Sequence, residues 1–364
     1  MSFLGLKKID FYIIKKFLGT YFFAIVIIIS IAVVFDVAEK VEDFIEKEAP
    51  LSAIVFDYYI NFIPYFANLF SSLFTFIAVI FFTSKMAYNT EIIAILSSGV
   101  SFRRMMYPYF VSALIIAIFS FILMAYVIPP ANEERIVFEY TYVKKPVRNT
   151  DKDIHRQIEP GLFVYMKSYN VTNDIGYKFA MEKFEDGILR SKLISDYAKY
   201  DTTLSKWTIR NYFIRDIDSL GNETISTGTR IDTTLNMLPE EFERMENFTE
   251  MMNLPELNEF IDHQRMQGAD NITELLINKY GRFAYPFSTF ILTLIGVSLS
   301  SRKVRGGIGM HIGFGLLLSF SYILFMRFTT MFAINGTMNA LFAVWFPNLI
   351  YTIIAVFLYR LAPK

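Results

Sequence analysis

Six stretches of the sequence contain no charged residue over a length that can cross a lipid bilayer. A bilayer core of about 30 Å needs about 20 apolar residues in an α-helix, which rises about 1.5 Å per residue. A Lys, Arg or Asp at the centre of such a helix costs about 2.5–3.5 kcal/mol on insertion scales, so these windows predict membrane spans. The windows are 17–35, 58–84, 105–132, 283–301, 306–326 and a last one within 328–359, whose apolar part begins near Leu341.

Charge is unevenly distributed, although the whole chain is neutral with 35 Lys and Arg against 35 Asp and Glu. Residues 131–281 carry 19 basic and 26 acidic residues in 151 positions, which leaves 16 basic and 9 acidic residues in the other 213. This contrast predicts a water-exposed domain inserted in a membrane protein. We expect transmembrane helices 1–3 in residues 1–131, the inserted domain in 132–280 and transmembrane helices 4–6 in 281–364.

Basic residues near the ends of the spans predict how the chain crosses the membrane, because translocating Lys and Arg is disfavoured. One side carries twelve of them, whereas the short loops of the other side carry only Lys40, Lys47 and Arg327. We therefore expect both termini in the cytoplasm and the inserted domain outside. The twelve are Lys7, Lys8, Lys15, Lys16, Lys85, Arg103, Arg104, Arg302, Lys303, Arg305, Arg360 and Lys364.

The inserted segment has a residue pattern typical of an antiparallel β domain. Short runs rich in β-branched and aromatic residues occur at 162–169, 177–184, 207–215 and 223–233, separated by Asn, Asp and Gly. This pattern predicts a sandwich or jelly roll. After Pro239 the pattern becomes helical, with one helix opening at Leu254-Pro-Glu and another running into the fourth span.

No motif for ATP hydrolysis or for hydrolytic catalysis occurs in the sequence. Gly-x-x-x-x-Gly-Lys-Ser/Thr, His-Glu-x-x-His and Gly-x-Ser-x-Gly are all absent, and there is no cysteine. His155, His263 and His311 are spread over three different segments, which disfavours a shared metal or catalytic site. We expect neither an enzyme nor a bound metal or cofactor.

The loop between the second and third spans predicts a two-turn helix near residues 89–99. Asn89 or Thr90 can cap it, Glu91 lies in its first turn, and Gly99 can end it in a left-handed conformation. One interpretation is a connector or interfacial helix. The other is a docking helix for a cytoplasmic partner, with Glu91 as its charged anchor. Its apolar face would then be formed by Ile92, Ile95 and Leu96.

This loop resembles the LptF/LptG family, the permease subunits of the lipopolysaccharide export ABC transporter. Within the loop the resemblance rests on Glu91, Ala94, Gly99, Ser101 and Arg104. It continues in Leu254-Pro-Glu-Leu, in Tyr280-Gly-Arg-Phe-Ala-Tyr-Pro-Phe and in Trp345-Phe-Pro-Asn. The order of three helices, a β domain and three more helices extends it over essentially the full chain.

The resemblance implies a heterodimer of two such permeases above a dimeric cytoplasmic ATPase that binds the ATP. It implies that Glu91 lies on a coupling helix that enters a groove of the ATPase, with Gly99, Ser101 and Arg104 in the same coupling region. It also implies a periplasmic jelly roll, which receives lipopolysaccharide extracted from the outer leaflet of the inner membrane. That domain passes the lipid to a bridge of similar folds, in a Gram-negative bacterium.

Glycines in the fifth span permit two interpretations. Gly309 and Gly313 have the small-xxx-small spacing that lets helices approach closely inside a subunit. The resemblance implies instead that the first and fifth spans line a lateral opening for the lipid, where a smooth glycine face would let helices part. His311, the one titratable residue within this apolar stretch, is either a neutral hydrogen-bonded side chain or part of the gate.

Two cations predicted on the outer side are candidate ligands of lipid phosphates. Basic residues in this region contact the lipid in the resembled family, which favours Lys40 and, second, Arg327. Six acidic residues surround Lys40 and Lys47 in sequence, so a surface salt bridge is the alternative.

A second class of function fits the same topology. A signalling or mechanotransmitting membrane protein with a ligand-binding β ectodomain would also have six spans and an outer domain. Such a protein more often carries a cytoplasmic output domain, and here the predicted cytoplasmic segments are short.

Overall fold

The computed structural model describes residues 6–143, 152–202, 204–218, 220–237, 239, 248–266, 268–269, 271–302 and 307–362, with the backbone alone at 307, 308 and 311. The helices are α1 (Lys8–Glu46), α2 (Leu51–Ala53), α3 (Ile60–Leu69), α4 (Ser71–Tyr88), α5 (Glu91–Ser97), α6 (Phe102–Ile122), α7 (Ile128–Tyr142), α8 (Leu254–Met266), α9 (Ile272–Ser300), α10 (Gly307–Ile334) and α11 (Ala340–Leu361). Six helical segments are long and apolar enough to cross a membrane, which confirms the six predicted spans. They are α1, α4, α6 with α7, α9, α10 and α11.

Compact packing divides the chain into two units. We call Met1–Lys144, Thr249–Leu254 and Thr273–Lys364 the membrane unit, and Lys145–Phe248 with Pro255–Ile272 the inserted unit.

Helix α1 is packed along its first half and is largely exposed beyond it. Asp10 accepts a hydrogen bond from the backbone N–H of Lys7 at 2.7 Å, which satisfies one of the free donors at the helix start. The residues buried in this first half follow one face at spacings of three and four. After that stripe, the next buried residue of α1 is Phe44. The stripe consists of Asp10, Ile13, Phe17, Tyr21 and Ile25.

The second predicted span, 58–84, is not one continuous helix. Wide π-helical turns occur at Ile54–Tyr59, and the helix is broken at Phe70. A second wide turn, Leu123–Val127, separates α6 from α7. The second wide turn contains Ala125, whose carbonyl is excluded by the ring of Pro129, a residue that also lacks a backbone donor; Pro64 lies inside α3, after the first wide turn. The charge-free window predicted the span, but it carries no information about these local breaks.

Two of the three apolar clusters in the described part of the membrane unit contain residues of α4. The first joins α1, α4, α5 and α6, with Phe17 and Tyr109 fully buried in it. The second joins α4, α9, α10 and α11 around Phe76 and Tyr322. Helix α4 belongs to both clusters, and it is therefore the central helix of this unit.

The inserted unit contains an antiparallel sheet of seven strands, which confirms a β-rich region inserted among the helices. All described pairings join strands that are close in sequence, in the order β1-β2-β3-β5-β6-β7, while β4 pairs with β2 and β5. The strands are β1 (Lys152–Glu159), β2 (Leu162–Asn170), β3 (Ile175–Tyr177), β4 (Ala180–Glu185), β5 (Ile188–Asp201), β6 (Lys206–Ile217) and β7 (Glu223–Thr233).

Trp207 lies at the centre of the β core and is fully buried. Its indole N–H donates to the carbonyl of Met237 at 2.9 Å, so its polar atom is satisfied. The predicted strand 177–184 is interrupted between β3 and β4, where Lys178 has a positive φ of 53°. That conformation is incompatible with a regular strand, and the two halves pair with different parts of β2.

Candidate functional site

The predicted short helix is present as α5 and is bounded by two left-handed residues. Thr90 precedes it with a φ of 63°, and Gly99 follows it with a φ of 86°, as expected for a glycine stop. The predicted side-chain cap is wrong, because the hydroxyl of Thr90 donates to the carbonyl of Asn89 at 2.6 Å instead. The two left-handed residues therefore set the bounds of α5, but no side chain caps its N-terminus.

The apolar side of α5 is turned toward its own subunit. Ile92 is fully buried in the cluster of α1, α4 and α6, and Ile95 and Leu96 pack against the same cluster. These three residues, expected to face a partner, therefore fasten the helix to the membrane unit. Ile93 and Ala94 remain exposed on the opposite side.

Glu91 is half-buried and already has partners within the chain. Its carboxylate accepts a hydrogen bond from the Tyr12 hydroxyl at 3.0 Å and a longer one from the Asn89 amide at 3.4 Å. Tyr12 belongs to α1, so this contact joins the first turns of α1 and α5. An incoming basic group would have to share the carboxylate with Tyr12.

Arg104 forms a two-pronged ion pair with Asp10 of α1. Its two terminal nitrogens donate to the two carboxylate oxygens at 2.8 and 2.6 Å, the fork geometry in which arginine binds carboxylate best. The Asp10 side chain is 1% exposed and the Arg104 side chain 34%. Ser101 caps α6 by accepting the backbone N–H of Arg104 at 3.3 Å. Both residues thus organise the start of α6.

Lys40, near the other end of α1, is enclosed by opposite charges. Its ammonium lies 2.8 Å from Asp36 and 3.5 Å from Glu139 of α7, and it also donates to the Tyr58 hydroxyl. Arg135 in turn lies 3.1 Å from Glu139. We call Asp36, Lys40, Arg135 and Glu139 the charge cluster. Two positive and two negative charges balance in it, and all four side chains are mostly buried.

Aromatic rings and hydroxyls complete the surroundings of the charge cluster. The hydroxyls of Tyr58 and Tyr59 donate to Asp36 at 3.1 and 3.2 Å. The Tyr58 ring packs on Phe44 and Phe138, with centroid distances of 6.1 and 5.2 Å. The low local polarity strengthens each ion pair and raises the cost of breaking one.

A returning segment, Phe248–Glu250, is tied to this region by hydrogen bonds. Glu250 accepts from the side-chain amide of Asn132 at 3.4 Å, and Arg282 of α9 donates to the Thr249 carbonyl at 3.1 Å. Burial raises the pKa of the Glu250 carboxyl, against the opposing effect of the positive charges of Arg135 and Arg282.

Arg327, the second candidate cation, is exposed in α10. Among the described residues no carboxylate forms an ion pair with it. The two predicted cations therefore differ: Lys40 is paired within the chain and Arg327 is available.

Two glycines of the fifth span, Gly309 and Gly313, face open space. A methyl group added at Gly309 or Gly313 would meet nothing within 4 Å, so close packing inside this subunit does not explain them. Gly315 is different, because a methyl group there would meet the Ile80 side chain of α4. His311 lies in α10, and its side chain is outside the described residues.

Several of these partners were not singled out from the sequence. Asp10, Asp36, Arg135 and Glu139 act as partners of predicted residues, and two of the pairs had a local signal. Asp36 with Lys40 and Arg135 with Glu139 have the i,i+4 spacing of helical ion pairs. Within the described residues, no group of three or more His, Asp or Glu could hold a metal ion.

Comparison with known proteins gives one family match. A direct comparison with curated proteins finds no match. The family model for the lipopolysaccharide export system permease LptF/LptG matches residues 11–361 of the 364-residue chain. That match includes all six spans, α5 and the strands of the inserted unit. The chain belongs to the LptF/LptG family of lipopolysaccharide export permeases, which are transporter components.

Proposed function

We propose that this chain is one permease subunit of an ABC transporter. In this proposal the transporter extracts lipopolysaccharide from the outer leaflet of the inner membrane of a Gram-negative bacterium. The observation that carries the proposal is α5, a short helix whose apolar side is fastened to a six-span unit. Its outward side presents Glu91, Ile93 and Ala94, which is the surface a cytoplasmic ATPase would engage.

Energy would come from a separate ATPase dimer. The sequence contains no P-loop, so ATP binds to the partner and this chain needs no cofactor of its own. The carboxylate of Glu91 would pair with a basic residue of the ATPase, and Ile93 would enter an apolar groove beside it. The basic residues at this end of the spans support a cytoplasmic position for α5 and for both termini.

A second, paralogous permease would cover helices that this subunit leaves exposed. The most apolar windows of α1 and α10 are 17% and 28% buried, the lowest values among the six spans. Gly309 and Gly313 add a smooth stretch to α10 with nothing packed on it. These helices would form the lateral opening between the two permeases, through which the lipid enters.

Lipid phosphates would bind at the end of the spans where the charge cluster lies. Arg327 is exposed and supplies a fork of donors suited to phosphate. Lys40 would reach a phosphate only by exchanging its contacts with Asp36 and Glu139. A lipid phosphate would therefore bind Arg327 first and Lys40 second.

The inserted unit would receive the lipid and pass it to periplasmic bridge proteins. The jelly roll implied by the family belongs to this proposal. Strand β7 is mostly exposed and pairs with β6 on one side, so its other edge offers backbone donors and acceptors. A partner of similar fold would add a strand there and extend the sheet.

The test is the isolation of the intact assembly. A tagged chain, solubilised in mild detergent, should bring with it an ATPase and a second six-span subunit. The Glu91→Lys variant should retain the second permease and lose the ATPase, which separates the two contacts. Recovery of the chain with neither partner would overturn the proposal and favour the signalling alternative.

A further inference from the structure

We propose that Asp10 and Arg104 are positioning residues that make α1 move with α5. The inference rests on the proposed function, because it assigns a route by which ATPase movement at α5 would reach the helix at the lipid opening. We call the pairs Asp10–Arg104 and Tyr12–Glu91 the N-terminal clasp.

The clasp joins three helix starts at one place. Arg104 lies in the first turn of α6 and is separated from α5 only by the short linker that contains Gly99. Its fork binds both oxygens of Asp10, one of which also accepts the backbone N–H of Lys7. The carboxylate is therefore fixed to the first turn of α1 and to the first turn of α6 at the same time. A displacement of the start of α6 can therefore move the start of α1 while Asp10 and Arg104 remain paired.

The second pair ties α5 itself to α1. The Tyr12 hydroxyl donates to Glu91 at 3.0 Å, two residues from Asp10 along α1. Ile95 of α5 and Val100 of the linker line a small cavity together with Asp10 and Arg104. The polar contacts at this cavity and the apolar packing of Ile92, Ile95 and Leu96 both keep α5 joined to α1.

Helix α1 is well suited to follow its N-terminus. Its fully buried stripe ends at Ile25, and the residues from there to Phe44 are half-buried or exposed. Ile29, Ala32 and Val33 join this second half to two apolar clusters, and because α1 is one continuous helix from Lys8 to Glu46, these contacts are connected to its first turn. A displacement at Asp10 would thus be expressed at Asp36 and Lys40, where α1 meets the charge cluster.

Arg104 then has a positioning role inside the subunit instead of the coupling role that the resemblance implies. As a coupling residue it would touch the ATPase, whereas the structure directs its guanidinium into the subunit. Arg103 is its natural control, because it is the neighbouring arginine, is exposed, and carries the same charge. A loss of surface charge affects both positions equally, and a loss of the clasp affects Arg104 alone.

A distance measurement tests the clasp without any partner. The chain has no cysteine, so Ile93→Cys with Phe11→Cys gives one pair of spin labels between α5 and α1. Ile93→Cys with Phe110→Cys gives a reference pair between α5 and α6. In nanodiscs the Arg104→Gln substitution should broaden the first distance distribution and leave the second unchanged. Equal distributions for Arg104→Gln and Arg103→Gln would overturn the proposal.

Transport by the reconstituted complex gives the functional readout. Lipid released per ATP hydrolysed should fall about fivefold or more with Arg104→Gln, the lower end of typical coupling between sites, and stay unchanged with Arg103→Gln. The exchange Asp10→Arg with Arg104→Asp should restore it. Loss of ATPase binding by Arg104→Gln, with normal function of Asp10→Asn, would show that Arg104 contacts the ATPase and would refute the clasp. Failure of the proposed function would appear separately, as absent ATP-driven release by the wild-type chain.

Discussion

Replacing Glu139 with Gln removes one negative charge from the charge cluster and leaves its shape nearly unchanged. The side chains of Arg135 and Glu139 are 9% and 8% exposed, and those of Lys40 and Asp36 are 17% and 13% exposed. Two cations then share one carboxylate in a place that water hardly reaches. We expect the variant to destabilise the membrane unit through this uncompensated positive charge.

The size of the effect follows from the remaining contacts. Removing one partner of a buried ion pair costs about 3–5 kcal/mol. Lys40 keeps Asp36 at 2.8 Å, so we expect the lower end, about 3 kcal/mol, for Glu139→Gln. In the double variant with Lys40→Met the charges balance again. Its cost should be smaller than the sum of the single costs by about 1–3 kcal/mol.

The assay is unfolding of the purified chain by denaturant in detergent, followed by far-ultraviolet circular dichroism. Glu134→Gln is the matched control, because Glu134 lies on the same helix and is exposed. A free energy of unfolding for Glu139→Gln equal to that of Glu134→Gln would refute the buried charge balance. Additive costs of the single variants would show that Lys40 and Glu139 do not interact.

Three further predictions concern coupling, lipid and packing. Glu91→Ala should insert normally and lose ATP-driven lipid release, because the anchor for the ATPase is gone; release by reconstituted vesicles measures this. Arg327→Gln should reduce ultraviolet cross-linking of lipopolysaccharide to the chain several-fold, and Lys40→Gln should reduce it less, because Lys40 is paired with Asp36 and Glu139 whereas no described carboxylate pairs with Arg327. Gly315→Ala should lower the free energy of unfolding of the isolated chain, since its methyl group meets a side chain of α4, whereas Gly313→Ala should leave it unchanged.

Each of these has a result that contradicts it. Normal release by Glu91→Ala would remove α5 from energy coupling. Stronger dependence of cross-linking on Lys40 than on Arg327 would mean that the charge cluster opens before the lipid binds. Equal loss of stability at Gly313 and Gly315 would mean that both glycines are packed within the subunit.

Hydropathy was sufficient to predict the six spans, because the cost of a buried charge applies to any lipid-exposed helix regardless of its neighbours. The position of α5 was likewise predictable, since Gly99 provides a local stop signal. The breaks at Phe70 and before Pro129 were not predicted. They are features of single turns, to which a window of about 20 residues is insensitive.

The clasp and the charge cluster could not be predicted from the sequence, because both contain partners that lie far apart along the chain. Asp10 and Arg104 are 94 residues apart, and nothing in either segment indicates which span packs against which. Lys40 was predicted to bind lipid phosphate by residue type and region, and the structure adds the carboxylate of Glu139 from a distant helix. Similarly, a face predicted for a partner, Ile92 with its neighbours, is used by the subunit itself.

The central claim is that this chain moves lipopolysaccharide with energy supplied through α5. The direct measurement is transfer of lipopolysaccharide from proteoliposomes that contain this chain, its paralogous permease and the ATPase to an acceptor bridge protein. We expect transfer that requires ATP and that Glu91→Lys abolishes while all three proteins remain present in the membrane. Transfer that proceeds without ATP, or that is unaffected by Glu91→Lys, would contradict it.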